Sequence, residues 1–180
     1  MTETFNGEMS DWQLRLARPE DEEFLFRLFA DTQEHLAAFR PNQALYQSLV
    51  AGQYQGRKMS YAAEYPDAVN AILCEGDEAV GRLLMDCRGD TWRIVDIAVL
   101  AEHRGRGLGG WVLKLCQQQC GEAGARLMLA VRPENPARRL YERMGFRVIH
   151  EDVLTVEMEW KADAADAAHS TNMELLTGNI

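Results

Sequence analysis

The sequence predicts an α/β protein of the mixed α+β kind, with a central mixed sheet of about seven strands and helices on both faces. Three observations predict this fold. Segments with a period of two residues alternate with helical segments in the order β-α-α-β-β-β-α-β-α-β-β. Short turns join three consecutive strands near the middle of the chain. The 180 residues, 47% of them hydrophobic, are enough for one domain with a substantial core.

The first half of the chain predicts one strand and two helices. Residues 12–17 alternate apolar and polar side chains, which indicates a strand. Pro19 then opens a helix whose first turn is acidic, as the helix dipole favours. Pro41 disfavours helix at the residue before it, so residues 35–41 are expected to be a break. A second helix is expected over about residues 42–61.

The second half predicts strands first and then alternating strands and helices. A hairpin is expected around residues 75–77, and Gly89-Asp90 marks the next turn, which leads into a strand ending near Leu100. The remaining elements are a helix over about 106–123, a strand at 127–132, a short helix at 136–144 and strands near 146–151 and 154–160. We therefore divide the chain into an N-terminal extension (1–11), one domain (12–160) and an acidic, polar C-terminal tail (161–180).

Composition excludes several classes of protein. The net charge of −9 argues against nucleic-acid binding, which usually needs a basic surplus. No apolar run approaches membrane-spanning length, and the first residues lack the features of a signal peptide. The cysteines show no metal-ligand spacing and are expected to be free thiols in a reducing compartment: Cys74, Cys87, Cys116 and Cys120. A cytoplasmic protein without a bound metal or membrane partner is therefore expected.

The segment over residues 94–110 has the parts of a pyrophosphate-binding turn. A β-branched strand leads into a turn that contains Arg104, Gly105, Arg106 and Gly107, and a helix follows. Glycines let the backbone approach an anion closely, and the N–H groups of a helix start point towards it. The two arginines can add charge-assisted hydrogen bonds.

Two familiar phosphate-binding motifs compete for this turn. A P-loop requires a lysine followed by a serine or threonine, and the turn supplies neither, so it is rejected. Gly105, Gly107 and Gly110 do match the dinucleotide-binding fingerprint. However, the next strand ends in Arg132 rather than in an acid that could bind a ribose hydroxyl, which leaves a dinucleotide-binding enzyme as an alternative.

A resemblance to a known family accounts for the whole segment. Arg104-x-x-Gly107-x-Gly109, followed by Asn135-Pro136-Ala137, Leu140-Tyr141 and Gly145-Phe146, resembles the GNAT superfamily of N-acetyltransferases. The resemblance is tight over residues 92–149, and the element order extends it to about 12–160. It implies transfer of an acetyl group from acetyl-coenzyme A, the co-substrate, to a primary amine of a small molecule, peptide or protein. The transfer is expected to occur by direct attack in a ternary complex.

The resemblance also implies which residues bind the coenzyme. The strand before the turn is expected to run along the pantetheine arm at Ile97, Ala98 and Val99, and a backbone N–H near Val99 is a candidate oxyanion donor. Asn135 matches a coenzyme-contacting asparagine, although it also suits a helix N-cap. The pyrophosphate is expected at Arg104, Gly105, Arg106, Gly107, Leu108, Gly109 and Gly110.

Tyr141 and Asp96 are the candidate catalytic residues. Tyr141 matches the family tyrosine near the coenzyme sulfur, which acts as general acid; the alternative is an aromatic residue that packs a short helix. Asp96 is the only acid in strand 94–99, and alternation puts it on the face opposite Ile97 and Val99. It is either the base or a partner for Arg93 or a loop. Asp86, Glu64, His103 and a water-relayed base remain alternatives.

The acceptor amine is not specified by these motifs. Specificity is expected from the first two helices, the loop between them and the turn near Asp152; in that zone His35, Phe39, Arg40 and Tyr46 are each expected to serve packing or solvation. A catalytically silent domain that binds acyl-coenzyme A as a sensor is an alternative function. The resemblance makes a homodimer a candidate assembly.

Overall fold

The computed structural model describes residues 11–162 and confirms the predicted fold class. Most of the expected N-terminal extension and all but the start of the expected tail lie outside these residues. One seven-stranded sheet has the order β1-β2-β3-β4-β5-β7-β6, and only the β4–β5 pair is parallel. The strands are β1 (Trp12–Leu16), β2 (Val69–Glu75), β3 (Glu78–Asp86), β4 (Thr91–Val99), β5 (Arg126–Val131), β6 (Arg147–Glu151) and β7 (Val156–Lys161).

Helices cover both faces of the sheet, as the sequence predicts. They are α1 (Glu22–Asp31), α2 (Gln43–Glu64), α3 (Leu108–Glu122) and α4 (Arg138–Arg143). A short 3-10 helix, Glu34–Phe39, lies in the expected break before Pro41. Within residues 11–162, no helix has both the length and the apolar character that a membrane span requires.

Several element boundaries differ from the predicted ones, two of them at the ends of α2 and β7. Helix α2 continues to Glu64, beyond the expected end near residue 61, and Arg82 of β3 lies 5.9 Å from the centroid of the Tyr61 ring. Lys161 is expected in the tail but belongs to β7, where it pairs with Arg126 of β5. Lysine is depleted in strands, so the sequence does not indicate that residue 161 pairs with β5.

Each face of the sheet has its own hydrophobic core. On the α3 and α4 face, Val112, Leu113 and Cys116 pack against strand residues such as Leu127 and Met158, all with no exposed surface. On the α1 and α2 face, a smaller core contains Leu25, Phe29, Leu36, Val50, Tyr54, Ile72 and Cys74. Cavities are costly in such cores, so a gap in the sheet between them requires a specific structural cause.

That gap is present between β4 and β5. The two strands pair only over Thr91–Ile94 and Arg126–Leu129, although both continue for several residues. On its other side, β4 shifts register against β3: Met85 pairs with Ile94, and Leu84 pairs with Asp96. One β4 residue, Val95, is therefore extra, which is a β-bulge that bends the strand away from β5.

The bulge also determines where the β4 side chains point. Trp92 and Ile94 belong to the α3-side core, and beyond the bulge Ile97 and Val99 pack on that same core. Asp96, which pairs with Leu84, faces the α1 and α2 side instead. This agrees with the predicted separation of Asp96 from Ile97 and Val99.

A partly buried ion pair connects the start of α1 to β1. Both carboxylate oxygens of Asp21, which is 7% exposed, accept hydrogen bonds from Arg15 at 2.6 and 2.7 Å. Oδ2 also accepts from the backbone N–H of Arg18 at 2.7 Å. The bonds from Arg15 outweigh the cost of burial and lower the pKa of Asp21 to about 2.

We therefore predict that Asp21→Asn lowers the free energy of unfolding by about 2 kcal/mol at neutral pH. Because the folded-state pKa is lowered, this contribution is complete above the unfolded pKa of about 4 and is lost as the pH falls towards 2. Chemical denaturation at several pH values measures it, with the exposed neighbour substitution Glu20→Gln as control. A stability difference that stays constant between neutral pH and pH 2 would contradict this account.

Candidate active site

A cavity of about 610 Å³ occupies the gap between β4 and β5. Its floor is formed by the separating strands, and helices α1 and α2 form the opposite wall. Of the sequence-predicted site residues, the cavity brings together Asp96, Ile97, Ala98, Asn135 and Tyr141. The candidate catalytic residues therefore share one space.

Backbone groups of β4 face this gap. The N–H of Leu100 donates to the carbonyl of Val80, and an antiparallel ladder alternates between bonded and outward-facing residues. The groups of Ala98 consequently point towards β3, and those of Ile97 and Val99 point towards the gap. The carbonyl of Val99 accepts a hydrogen bond from Arg104 at 2.8 Å, and Val99 itself lies just beyond the residues that line the cavity.

The turn after β4 leads directly into the first turn of helix α3. Gly107 is the N-cap of α3 with a φ of 94°, a left-handed conformation that favours glycine. The first intrahelical bond is from the N–H of Trp111 to the carbonyl of Gly107. The N–H groups of Leu108, Gly109 and Gly110 thus have no partner within the helix, as an anion site requires.

The other residues of the turn serve packing as well. Leu108 is 3% exposed and joins the α3-side core, which fixes the start of the helix. A Cβ on Gly109 would lie 3.3 Å from Cδ2 of Leu140, so glycine there allows α4 to approach α3 closely. Gly105 has a φ of 75° and open space around it.

Both arginines of the turn are held in ion pairs with acids from distant parts of the chain. Arg104 donates to Oδ2 of Asp31 in α1 at 2.7 Å. Arg106 forms two hydrogen bonds with Glu75 of β2, at 2.5 and 2.7 Å. The sequence predicts these arginines as phosphate ligands, and in the structure their guanidinium groups fix the shape of the turn.

Glu75 is the centre of a small polar cluster beside the turn. Burial opposes its charged form, but hydrogen bonds from Arg106, Trp12 and His103 outweigh this and keep the pKa of Glu75 below its usual value. His103, one of the alternative bases, is therefore a neighbour of Glu75 and does not line the cavity.

Tyr141 projects from α4 to the edge of the cavity. The residue is 7% exposed, and its ring contacts Phe146 edge-on with centroids 6.0 Å apart. Burial, with a smaller contribution from the charge of Asp96, raises the pKa of Tyr141 to about 12. The phenol therefore keeps its proton at neutral pH and can donate it. The ring thus packs on Phe146 and the residue also lines the cavity, while its role as general acid stays a prediction.

Asn135 combines a turn role with its place at the cavity. Its Oδ1 accepts a hydrogen bond from the N–H of Ala137 at 2.9 Å, which stabilises the turn into α4. The same residue lines the cavity next to the end of β5. The two interpretations of Asn135 from the sequence are thus compatible.

Asp96 has an environment that suits a base. Its side chain is 18% exposed, and its one ion-pair partner within residues 11–162 is Arg82 of β3, at 3.3 Å. Loss of solvent raises the pKa of Asp96 above its usual range, although Arg82 and Arg57 partly oppose this. Arg93, the partner considered from the sequence, lies instead 3.9 Å from Glu157.

The weaker base candidates have structural partners and do not themselves line the cavity. Asp86 forms two hydrogen bonds with Arg88, both 2.8 Å, which lower its pKa. Glu64 accepts a hydrogen bond from the hydroxyl of Tyr65 at 2.8 Å. Neither acid lines the cavity, so Asp96 is the best placed of the acids considered.

Sequence reasoning missed the residues of the helical wall. His35 lines the cavity, whereas Phe39, Arg40, Tyr46 and Asp152 do not. The wall is formed by a stripe along α2 and its C-cap, with the spacing of one helix face: Tyr54, Arg57, Lys58, Tyr61 and Tyr65. The tyrosine spacing is visible in the sequence, but it is equally typical of packing.

Comparison with known proteins now decides the family. The sequence model of the acetyltransferase (GNAT) family matches residues 8–146. The chain belongs to the GNAT acetyltransferase family. A curated relative, the [ribosomal protein bS18]-alanine N-acetyltransferase of Haemophilus influenzae, is 33% identical over 82 residues, which is 45% of this chain. The match spans 56% of that protein, little more than half of its length.

Solved structures share the GNAT fold with this chain. The PaiA N-acetyltransferase of Thermoplasma acidophilum, in complex with coenzyme A, has a TM-score of 0.66 at 16% identity, covering 84% of this chain and 99% of its own. The ribosomal-protein-S18-alanine N-acetyltransferase of Escherichia coli has a TM-score of 0.60 at 15% identity, covering 89% and 99%. At these identities the similarity establishes the fold alone.

The turn provides a direct test of coenzyme binding. Gly107→Glu adds a negative charge beside the free N–H groups of α3, and we expect the Kd for coenzyme A to rise about a hundredfold or more. Gly124→Glu is the matched control, since Gly124 also has a positive φ, of 65°, but lies beyond the other end of α3. Isothermal titration calorimetry compares the two variants. Unchanged affinity in Gly107→Glu would refute an anion site at this turn.

Proposed function

We propose that this protein is an N-acetyltransferase that moves an acetyl group from acetyl-coenzyme A to a primary amine. The observation that carries the proposal is the meeting of Asp96 and Tyr141 in the cavity of the β4–β5 gap. The start of α3, with its N–H groups that have no partner within the helix, follows the same strand, β4, nine residues after its end. The residues suit a coenzyme whose arm lies in the gap and whose pyrophosphate lies on the turn.

Asp96 is assigned the removal of the amine proton. A free alkylamine has a pKa of about 10.4 and arrives as an ammonium ion, which cannot attack a carbonyl carbon. Asp96 has a raised pKa and lines the cavity, which makes it a better proton acceptor than an exposed aspartate. Arg82, at 3.3 Å, holds the carboxylate in place.

The remaining steps use Val99 and Tyr141. The amine nitrogen attacks the thioester carbonyl, and the negative oxygen that forms is stabilised by the N–H of Val99. The carbon–sulfur bond then breaks, and the departing thiolate takes a proton from the Tyr141 hydroxyl. The nitrogen still carries one proton more than the amide product, and it gives this proton to the Tyr141 oxygen. Asp96 releases the first amine proton to solvent. No step requires a metal.

The name of one relative suggests a protein amine as an acceptor to test in addition to small amines. Because the H. influenzae relative is named for an alanine of ribosomal protein bS18, an alanine amine of a protein is a second candidate acceptor. Release of free thiol from acetyl-coenzyme A, measured with both acceptor classes, tests the proposal. Coenzyme binding without any turnover would favour a silent sensor domain. A cytoplasmic location and a homodimer stay predictions.

Tyr141→Phe tests the acid. We expect kcat to fall by about a hundredfold, because the thiolate then departs without a proton donor, while the Kd for coenzyme A changes little. Phe retains the ring that packs on Phe146, so a fold change is not expected. Tyr65→Phe, at the outer end of the helical wall, is the control. An unchanged kcat in Tyr141→Phe would remove the acid role.

Asp96→Asn tests the base. At neutral pH we expect kcat/KM to fall by about a hundredfold or more, because the amide cannot accept the proton. In the wild type, activity should rise with pH as Asp96 ionises, at a pKa above that of an ordinary aspartate. This rise should disappear in the variant. Asp86→Asn is the control, and a pH profile of Asp96→Asn identical to the wild type would exclude Asp96 as the base.

A further inference from the structure

The helical wall of the cavity carries one arginine without an acidic partner among the described residues. Arg57 lies on the α2 stripe, one turn after Tyr54 and one turn before Tyr61. Its guanidinium carbon lies 4.9 Å from the centroid of the Phe29 ring, so the side chain is held by a cation–π contact. Within residues 11–162 it forms no ion pair or hydrogen bond.

The charges that line the cavity leave a positive surplus. Four cationic side chains, Arg57, Lys58, Arg82 and Arg132, face two carboxylates, Glu22 and Asp96. Lys58 pairs with Glu22 at 2.6 Å, and Arg82 pairs with Asp96. This surplus contrasts with the net charge of −9 of the whole chain. A polycationic acceptor would therefore meet repulsion inside the cavity.

The two cations that have no acidic partner within the described part of the chain lie on different parts of the wall. Arg132 follows β5 directly and lies close in sequence to Asn135, on the strand side of the gap. Arg57 lies on the helical side and is near enough to Asp96 to lower the pKa of that carboxyl. A molecule whose amine reaches Asp96 therefore lies near Arg57.

We propose that the acceptor is a small amine that also carries an anionic group, and that Arg57 binds this group. The inference rests on the proposed function, since it assigns an acceptor to the same site. A guanidinium binds a carboxylate or phosphate through two parallel hydrogen bonds. With the anion at Arg57, the amine end of the molecule is directed towards Asp96. Arg57 is a specificity-determining residue in this scheme and takes no part in proton transfer.

Matched acceptor pairs test the charge requirement. Each ω-amino acid and α-amino acid of a panel is compared with its primary amide, which has nearly the same shape but no charge. Aminoalkyl phosphonates, compared with the corresponding alkylamines, distinguish a phosphate-type group from a carboxylate. For the wild type we expect kcat/KM to favour the anionic member of a pair by about tenfold or more.

Arg57→Met keeps the packing on Phe29 and removes the charge. We expect the preference for the anionic acceptor to fall to about one, mainly through a higher KM, with kcat and the Kd for coenzyme A nearly unchanged. Arg57→Lys should retain part of the preference. Arg27→Met is the matched control, because Arg27 of α1 also lies over a phenylalanine ring, 5.6 Å from the Phe24 centroid, but does not line the cavity.

Three results would overturn the proposal. The first is an anionic preference that Arg57→Met leaves intact, and the second is a wild type that prefers the amides or uses only peptides regardless of their charge. The third is a loss of coenzyme A affinity in Arg57→Met, which would assign Arg57 to the coenzyme.

If no acceptor is turned over, the proposed function fails separately. Calorimetry of 4-aminobutyrate and its amide, with coenzyme A present, then decides: binding of the acid that depends on Arg57 supports the anion site, and equal binding refutes it.

Discussion

The break in pairing between β4 and β5 is the constraint on which the rest of the site depends. Two adjacent parallel strands would normally continue their ladder, and here it stops after Ile94 because an extra residue at Val95 bends β4 away. The same bulge turns Asp96 towards α2 and directs the backbone of Ile97 and Val99 into the gap. Without it, the ladder between β4 and β5 would continue beyond Ile94, and no gap would open between the two strands.

The turn after β4 is shaped by long-range ion pairs. Arg104 and Asp31 are 73 residues apart in the chain, and Arg106 and Glu75 are 31 apart. These pairs hold the turn against α1 and β2, so the N–H groups of α3 are oriented before any anion arrives. Such preorganisation reduces the entropy lost on binding. Exposed pairs contribute little to stability, which makes their role in shaping the turn the more important one.

The element order can be predicted from the sequence because the spacing of apolar residues differs clearly between strands and helices, as in β1 and α3. The turn at Gly107 is also predictable, since several glycines between a β-branched strand and a helix are typical of a tight, anion-binding helix start. The bulge at Val95 is not, because valine is equally suited to a regular strand. The pairing of Arg106 and the place of Arg57 depend on contacts with distant residues, which periodicity does not encode.

The central claim is that the β4–β5 gap holds the arm of acetyl-coenzyme A between Asp96 and Tyr141. A crystal structure of the protein with acetyl-coenzyme A tests it most directly. The account predicts the thioester sulfur within hydrogen-bond distance of the Tyr141 hydroxyl, the arm bonded to the backbone of Ile97 and Val99, and the pyrophosphate on the N–H groups that begin α3. A coenzyme bound outside the gap, or a β4–β5 ladder that closes beyond Ile94 in the complex, would contradict it.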